Sequence, residues 1–161
     1  MKQIEIDATD IKLLNALQSD ASLTNQALAA LAHISPPTCL RRVKLLRDAG
    51  LIEREVALLS ADKLAHIIGF GLTAIVEITL DHQANDRLGA FEKRITAHVA
   101  VQQCYRTTPG PDFVLIVHVA DMPAYLALSQ ELFTSDANVR NVKTFFSVKR
   151  AKFEPKVLIA P

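Results

Sequence analysis

Apolar residues recur at helical spacing over roughly the first fifty positions, and this pattern predicts three short helices. The first helix is expected between Asp7 and Asp20, with Asp7 as its N-cap and Asp10 adding negative charge to the first turn. Its apolar side is predicted from Ile11, Leu14, Ala16, Leu17 and Leu23. The second helix is expected from Thr24, its N-cap, to Leu31.

The third predicted helix follows a turn at residues 32–34 and ends before Gly50. Ser35 is expected to cap it through its hydroxyl, and Pro36 takes the first helical position, where a missing N–H costs nothing. At about 100° per residue, the apolar face comprises Cys39, Leu40, Val43 and Leu46. The opposite face comprises Thr38, Arg41, Arg42 and Leu45.

Two interpretations fit this basic helix. Arginine and lysine on a helix face are most often solvated surface charge. The compact helix before it and the short turn between them instead favour a helix-turn-helix, whose second helix enters the major groove of DNA. This interpretation requires the cations to face outward rather than to bond to carboxylates.

The rest of the chain changes to strand spacing. Residues 51–58 predict an extended wing or a connecting strand, and residues 59–71 a link with a single turn or a short helix. Beyond the link, strands and helices are expected at Leu72–Leu80, Asn85–Ala97, Val101–Thr107, Asp112–Val119, Ala124–Phe133 and Val142–Lys152. This order is the ferredoxin-like βαββαβ arrangement, so we expect an α+β fold with a winged helix-turn-helix domain at 1–58 and a ferredoxin-like domain at 72–161.

A ferredoxin-like sheet has one face covered by its helices and one bare face. The bare face is expected to include Ile75 or Val76, Val114 or Leu115, and Phe145 or Phe146. A second copy of the chain is the simplest cover for this apolar surface. The pattern therefore predicts a homodimer built sheet against sheet, with the domain at 72–161 as the dimerisation domain.

Composition narrows the class of protein. Half of the 161 residues are apolar, which is enough for real cores, and the net charge of +1 means that nucleic-acid affinity has to come from a local patch. Cys39 and Cys104 are too few for a disulfide framework or a zinc cluster. The chain has no signal-peptide pattern and no run near the ~18 apolar residues of a membrane span. A soluble cytoplasmic protein without a membrane partner is expected.

The remaining polar residues add little chemistry. The five histidines are dispersed without metal-ligand spacing, so we expect neither a metal nor a cofactor. The C-terminal stretch carries Arg140, Lys143, Lys149, Arg150, Lys152 and Lys156. These charges either prevent an edge strand from pairing with another chain, which is the favoured interpretation, or form a second surface that contacts wrapped DNA.

Four stretches carry a family resemblance: the Asp7-x-x-Asp10 start of the first helix, SPPTCLRRVKLLRDAGLI at 35–52, VALLSADKL at 56–64 and LTAIVEITL at 72–80. Over nearly its whole length the chain resembles the leucine-responsive/asparagine-regulator (Lrp/AsnC) family of transcription regulators. The resemblance implies a winged DNA-binding domain followed by a domain that binds small effectors, often amino acids. It also implies dimers that pair through their C-terminal sheets and assemble further into octamers or discs.

The same resemblance assigns residues to DNA. The DNA-facing positions of the family's second helix correspond here to Ser35, Pro37, Thr38, Arg41 and Arg42. Arginine pairs bidentately with guanine, while serine and threonine serve bases or phosphates. Lys44 and Arg47 are expected toward the helix edge, where they meet phosphates. Leu45 stands where a basic residue is frequent, and it either contacts a thymine methyl or packs against the wing.

The effector loop of the family usually contains Thr-Gly-x-x-Asp followed by an aromatic residue. Residues 108–113 here are TPGPDF, so the candidate effector-binding residues are Thr108, Gly110 and Asp112. Pro109 and Pro111 remove two backbone N–H groups that would hold a ligand carboxylate. Asp112 is still expected to hold an amino group. Alternatively, the segment is only a stiff hairpin turn capped by Asp112.

The leading hypothesis is a sequence-specific DNA-binding transcription regulator that responds to an amino acid or a related small effector. Its expected partners are double-stranded DNA, the effector, and copies of itself as a dimer or an octamer. An effector-independent architectural DNA-binding protein is the first alternative, favoured by the altered loop. An enzyme resembling the tetrapyrrole decarboxylases on the same fold is the second, and the basic third helix argues against it.

Overall fold

The computed structural model describes residues 5–69 and 71–159 and separates into two compact units. The first comprises Met1–Leu58 with Lys152–Pro161, and the second comprises Leu59–Ala151. The C-terminal tail thus departs from the expected division, which assigned residues 72–161 to one domain. It groups with the first unit because it bonds to the first helix: the Gln18 side chain donates to the Val157 carbonyl and accepts from the Val157 N–H, both at 2.9 Å.

Three helices build the first unit: α1 (Ala8–Ser19), α2 (Asn25–Ala32) and α3 (Pro36–Asp48). A capping box begins α1, in which the Asp7 carboxylate accepts from the Asp10 N–H and the Asp10 carboxylate accepts from the Asp7 N–H. At the start of α2, the Thr24 hydroxyl accepts from the Ala27 N–H. The three predicted helices and the caps of the first two are confirmed.

The core of the first unit contains Leu13, which is fully buried. Its other buried members are Leu28, Ala29, Ala32, Cys39, Val43 and Leu46. The predicted apolar side of α1 omitted Leu13, while its Ile11 and Leu14 are only half-buried. The hydrophobic pattern predicted the wrong side of α1, because the buried side also carries a carboxylate and is therefore not uniformly apolar. Asp10 lies one turn before Leu13 and is 9% exposed.

Residues 51–60, all described by the structure, form neither helix nor strand. The wing or connecting strand expected over 51–58 is therefore not formed within this unit. An extended segment becomes a strand only when a neighbouring strand accepts and donates its backbone hydrogen bonds. Among the described residues, the strands pair only within the sheet of the second unit, and none of them pairs with this segment.

The second unit opens with α4 (Ala61–Ile68), the short helix expected in the link, and then contains one sheet and two helices. The elements are β1 (Leu72–Leu80), α5 (Asn85–Thr96), β2 (Val101–Arg106), β3 (Phe113–Val119), α6 (Met122–Ser129), a π-helical turn (Gln130–Thr134) and β4 (Val139–Phe146). The strands are antiparallel in the order β2-β3-β1-β4. This succession confirms the ferredoxin-like arrangement. None of the described helices is long and apolar enough to cross a membrane.

The last strand is displaced from its predicted position. β4 was expected at Val142–Lys152, but it begins at Val139 and ends at Phe146. Its partner sets these limits, because Leu80 at one end of β1 pairs with Val139 and Ala74 near the other end pairs with Phe146. The residues that follow alternate in sequence without a partner strand in the described chain.

The two faces of the sheet differ in burial. The face under the helices carries the buried residues Ala74, Val76, Ile78, Leu80, Phe113, Leu115 and Val117. On the other face, Ile75 pairs with Phe145 of β4 and with Ile116 of β3. Ile75 is 37% exposed and Phe145 is 44% exposed. Of the alternatives that the sequence left open, the bare face therefore carries Ile75, Val114 and Phe145.

Candidate nucleic-acid interface and effector loop

Helix α3 presents one stripe of side chains to solvent. Its buried side holds Cys39, Val43 and Leu46. The opposite side holds four exposed residues spaced three or four positions apart: Pro37, Arg41, Lys44 and Asp48. A helix with a basic outer stripe of this width fits the major groove of DNA, where base edges and phosphates are both within reach.

Arg41 and Lys44 are the two cations of this stripe that can bind an anion. Neither side chain has an ion-pair or hydrogen-bond partner within residues 5–69 and 71–159. Lys44 was expected toward the helix edge, but its exposure places it within the stripe, one turn after Arg41. The positive charge of both groups is therefore available to a ligand.

Arg42 does not belong to the exposed stripe. Its Nη1 atom lies 2.8 Å from Asp7 Oδ2 and 2.9 Å from Asp10 Oδ1. Its Nε atom is buried and has no hydrogen-bond partner among the described residues. The hydrogen bonds to Asp10 and then to Asp7 raise the pKa of Arg42, which keeps its charge fixed at this site. The expectation that Arg42 faces DNA is therefore corrected, because the residue adjoins the buried side of α3 and turns toward the N-terminus of α1.

Ser35 precedes α3 without capping it through its side chain. Its hydroxyl bonds to Thr38 Oγ1 at 2.8 Å, and no backbone N–H donates to it. The first two helical positions are Pro36 and Pro37, which have no N–H, so few orphan donors remain to be satisfied. The expected side-chain cap is thus wrong. Instead, two hydroxyl groups form a pair at the N-terminal end of the stripe, with Thr38 half-buried.

The stripe is flanked by exposed leucines. Leu40 is 62% exposed and Leu45 is 48% exposed. Leu40 was predicted to be buried, and this prediction is wrong because α3 buries only the narrower arc of Cys39, Val43 and Leu46. Arg47, expected near phosphates, forms an ion pair with Glu55.

The candidate effector loop joins β2 to β3. Thr108 and Gly110 are exposed, whereas Asp112 is half-buried and tied to β1 at two points. Its N–H donates to the Ile78 carbonyl (2.8 Å), and its Oδ2 accepts from the Leu80 N–H (2.7 Å). The Asp112 carboxylate therefore bonds to the neighbouring strand rather than capping its own turn.

The backbone of the loop offers two donors to a ligand. The N–H groups of Thr108 and Gly110 have no partner in the part of the chain that the structure describes. Pro109 and Pro111 have no N–H to offer. Gly110 has a φ of +126°, a conformation that only glycine adopts without strain. The loop can thus present two N–H groups beside one anchored carboxylate.

Two family models match the chain. A winged helix-turn-helix DNA-binding model matches residues 6–53, and the Lrp/AsnC ligand binding domain model matches residues 73–157. The chain belongs to the Lrp/AsnC family. Its relatives are named as transcription regulators and not as enzymes, so the protein is a DNA-binding transcription regulator and the enzymatic alternative is not retained.

Relatives of this Lrp/AsnC regulator match it along nearly their full length. It is 34% identical over 150 residues to the leucine-responsive regulatory protein of Rhizobium meliloti, covering 93% of this chain and 94% of the relative. It is 33% identical over 148 residues to the DNA-binding transcriptional activator DecR of Escherichia coli K12, covering 92% and 95%.

A solved structure extends the likeness to three dimensions. A transcriptional regulator of Neisseria meningitidis, in complex with L-Met, matches with a TM-score of 0.83 and 30% identity. The match covers 96% of this Lrp/AsnC chain and 97% of the other.

Sequence reasoning missed two features of this Lrp/AsnC protein. The first is the pairing of Asp7 and Asp10 with Arg42, since the aspartate spacing indicated only a helix cap and their partner lies on another helix. The second is a groove of about 510 Å³ in the second unit, lined by His98, Ala100, Gln102, His118, Ala124 and Leu128 among others. Only the folded sheet brings these distant positions together. Within residues 5–69 and 71–159, no three His, Cys, Asp or Glu side chains are placed to hold a metal ion.

Proposed function

We propose that this regulator recognises its operator through the exposed stripe of α3. In this proposal Arg41 contacts a base edge, Lys44 contacts a phosphate, and Ser35, Pro37 and Thr38 approach the backbone at the start of the helix. The observation that carries the proposal is the exposure of Arg41 without any carboxylate partner in the described chain. The compartment that follows is the cytoplasm, where the DNA lies.

The test compares single alanine variants on a DNA fragment selected by the wild-type protein. Arg41→Ala should lose about 1–3 kcal/mol of binding free energy, roughly five- to 160-fold in affinity, and should relax the base preference at one position. Lys44→Ala should weaken binding to all sequences alike and reduce the salt slope by about one unit. Arg87→Ala removes an exposed positive charge from α5 and is the matched control. Unchanged footprints of both α3 variants would refute the assignment.

We propose that the loop at residues 108–112 binds an amino acid or a related small molecule. The support is the ligand-binding family model together with the two N–H donors and the half-buried carboxylate of Asp112. The N–H groups of Thr108 and Gly110 hold the ligand carboxylate, and Asp112 holds its ammonium group. The L-Met complex of the Neisseria regulator makes L-methionine the first ligand to test.

Asp112 has a structural bond as well as this proposed role, so two variants are needed. Asp112→Asn keeps an acceptor for the Leu80 N–H but removes the charge, whereas Asp112→Ala removes both. Calorimetric titration with a panel of amino acids should show binding to the wild type and at least a tenfold loss in either variant. Only Asp112→Ala should lower the unfolding temperature. If no amino acid binds the wild type and DNA binding does not respond to the panel, the effector-independent architectural function is favoured instead.

We propose that the bare sheet face joins two copies of the chain, and that dimers assemble further into octamers. The support is an apolar row in which Ile75 and Phe145 are exposed and Ile116 is half-buried. Two α3 helices in a dimer would contact half-sites about one helical turn apart. Sedimentation should show Ile75→Asp and Phe145→Asp as monomers, because each places a charge in the interface. Leu126→Asp, at an exposed site on α6, is the control and should not produce monomers. If Ile75→Asp and Phe145→Asp both remain dimers, the proposed interface is wrong.

A further inference from the structure

We infer that Arg42 is a positioning residue for DNA binding, which pairs with Asp7 and Asp10, offsets one of their two negative charges and thereby keeps Arg41 free to face DNA. This inference rests on the proposed function of Arg41. It gives a role in recognition to a cation of α3 that does not itself touch DNA.

The carboxylate oxygens of Asp7 and Asp10 are divided between two sets of donors. Asp7 Oδ1 accepts from the N–H groups of Thr9 (2.8 Å) and Asp10 (2.9 Å), which leaves Asp7 Oδ2 for Arg42. Asp10 Oδ2 accepts from the Asp7 N–H (3.2 Å), which leaves Asp10 Oδ1 for Arg42. Each carboxylate thus serves the helix cap with one oxygen and Arg42 with the other. The N-terminus of α1 is bound to α3 through a single nitrogen, Nη1.

Arg41 lies beside the same acidic residues. Arg41, Arg42, Asp7, Asp10 and Glu5 all line one cleft of about 230 Å³. Without Arg42, two uncompensated carboxylates would remain in this cleft. They would attract the neighbouring Arg41 away from DNA and repel the phosphates of an approaching duplex. Arg42 weakens both effects because it offsets one of the two negative charges and engages one oxygen of each carboxylate.

The geometry of the Arg42 ion pairs distinguishes this role from direct base contact. Both ion pairs of Arg42 are made by one nitrogen atom, so a lysine ammonium can replace it. A bidentate contact to guanine needs two nitrogens of the guanidinium fork, which lysine lacks. The response to Arg42→Lys therefore separates the two roles.

The experiment measures affinity for a fragment selected by the wild-type protein, across a range of salt concentrations. Arg42→Ala should weaken binding about five- to tenfold, because it leaves one exposed carboxylate, Asp7, and one buried carboxylate, Asp10, without their cation. Adding Asp7→Asn and Asp10→Asn to this variant should restore affinity to within about twofold, although no cation has been returned. Asparagine preserves the N-cap of α1. The salt slope of the triple variant should equal that of the wild type, because no phosphate contact has been removed.

A matched control excludes a general effect of net charge. Arg42→Ala combined with Asp81→Asn and Asp86→Asn removes the same number of acids from exposed sites of the second unit. This variant should bind as weakly as Arg42→Ala alone. Arg42→Lys should bind within about twofold of the wild type and covers the case in which Arg42→Ala does not fold.

The failures are distinguishable. If the wild type selects no fragment, or Arg41→Ala binds as well as the wild type, the proposed function fails. If Arg41→Ala behaves as proposed while the triple variant stays as weak as Arg42→Ala, Arg42 contacts DNA and this inference alone is overturned. Full binding by Arg42→Ala, or binding by Arg42→Lys as weak as that of Arg42→Ala, would overturn it as well.

Discussion

His33 ends α2 in the left-handed region of backbone space, with a φ of 56°. A residue with a Cβ atom is strained there, and glycine is the usual occupant of this position. The conformation lets the Ile34 N–H donate to the Ala29 carbonyl (3.0 Å), which closes the turn between α2 and α3. The short turn between α2 and α3 therefore depends on one strained residue.

Replacing His33 tests this strain. His33→Gly should raise the free energy of unfolding by about 1 kcal/mol, because the left-handed conformation penalises a Cβ atom. His33→Ala keeps the Cβ atom and should give no such gain. Urea unfolding of the three proteins measures both changes. Equal stabilities of the glycine and alanine variants would show that the backbone conformation is not the cause.

At the scale of single residues, the ionisation of Asp7 makes the free energy of unfolding depend on pH. The Asp10 N–H, followed by Arg42 among the favourable partners, lowers the pKa of the Asp7 carboxyl below its ordinary value. A carboxylate with a lowered folded pKa stabilises the protein above its unfolded pKa of about 3.9, and this contribution disappears as the pH falls through the folded value.

The corresponding prediction concerns Asp7→Asn. Near pH 7 the wild type should be the more stable protein. The difference should shrink as the pH falls below about 5 and vanish below the folded pKa of Asp7, where its carboxyl is protonated. Denaturant midpoints measured from pH 7 down to 2 give this curve. A difference that stayed constant over the range would contradict the linkage.

At the scale of elements, Arg94 connects α5 to the π-helical turn. Its Nη1 donates to the Leu132 carbonyl (2.9 Å), and its guanidinium forms an ion pair with Asp136. The same group lies over the Phe91 ring, 5.2 Å from the centroid. The Arg94 side chain thus bonds to both the Leu132 carbonyl and the Asp136 carboxylate. Leu132 and Phe133 of the π-helical turn are buried in the core.

Arg94→Ala should therefore destabilise the protein by about 1–3 kcal/mol, since it leaves a carbonyl and a carboxylate without their donor. Arg87 on the same helix is the matched control, because its exposed side chain has a single ion-pair partner among the described residues, Asp86 at 3.9 Å. Arg87→Ala should change stability by less than about 0.5 kcal/mol. Thermal unfolding of the two variants measures the difference. Equal decreases in unfolding temperature would show that the contacts of Arg94 stabilise the protein no more than those of Arg87.

At the scale of the whole chain, the C-terminal tail returns to α1 across 139 residues. The Gln18 amide makes two hydrogen bonds to Val157, and the Asn15 amide donates to the Ile159 carbonyl (3.3 Å). Three hydrogen bonds of side-chain amides thus connect residues 157 and 159 of the tail to α1.

Gln18→Ala should release the tail, because it removes both bonds to Val157. Hydrogen exchange at the Val157 amide should become at least tenfold faster, with helix α1 still protected. Gln26→Ala, at an exposed site on α2, should leave that exchange unchanged. Slow exchange at Val157 in Gln18→Ala would mean that other contacts hold the tail.

The sequence by itself determined the helices and strands of this protein, because the interactions that form them are local. The cap at Asp7, the cap at Thr24 and the β-branched run of β1 act over a few residues, and their predicted positions are confirmed. The order of strands and helices then left the ferredoxin-like arrangement as the expected fold, because few topologies join these elements with short connections. The Lrp/AsnC motifs carried the function for the same reason, being contiguous in the chain.

Tertiary contacts decided what periodicity leaves ambiguous. A β-strand alternates equally well in either phase, and only packing against α5 and α6 chose Val76 over Ile75 for the core. The limits of β4 depend on β1, and the direction of Arg42 depends on two carboxylates on another helix. These features depend on residues that are distant in the sequence, so a local sequence pattern could not predict them.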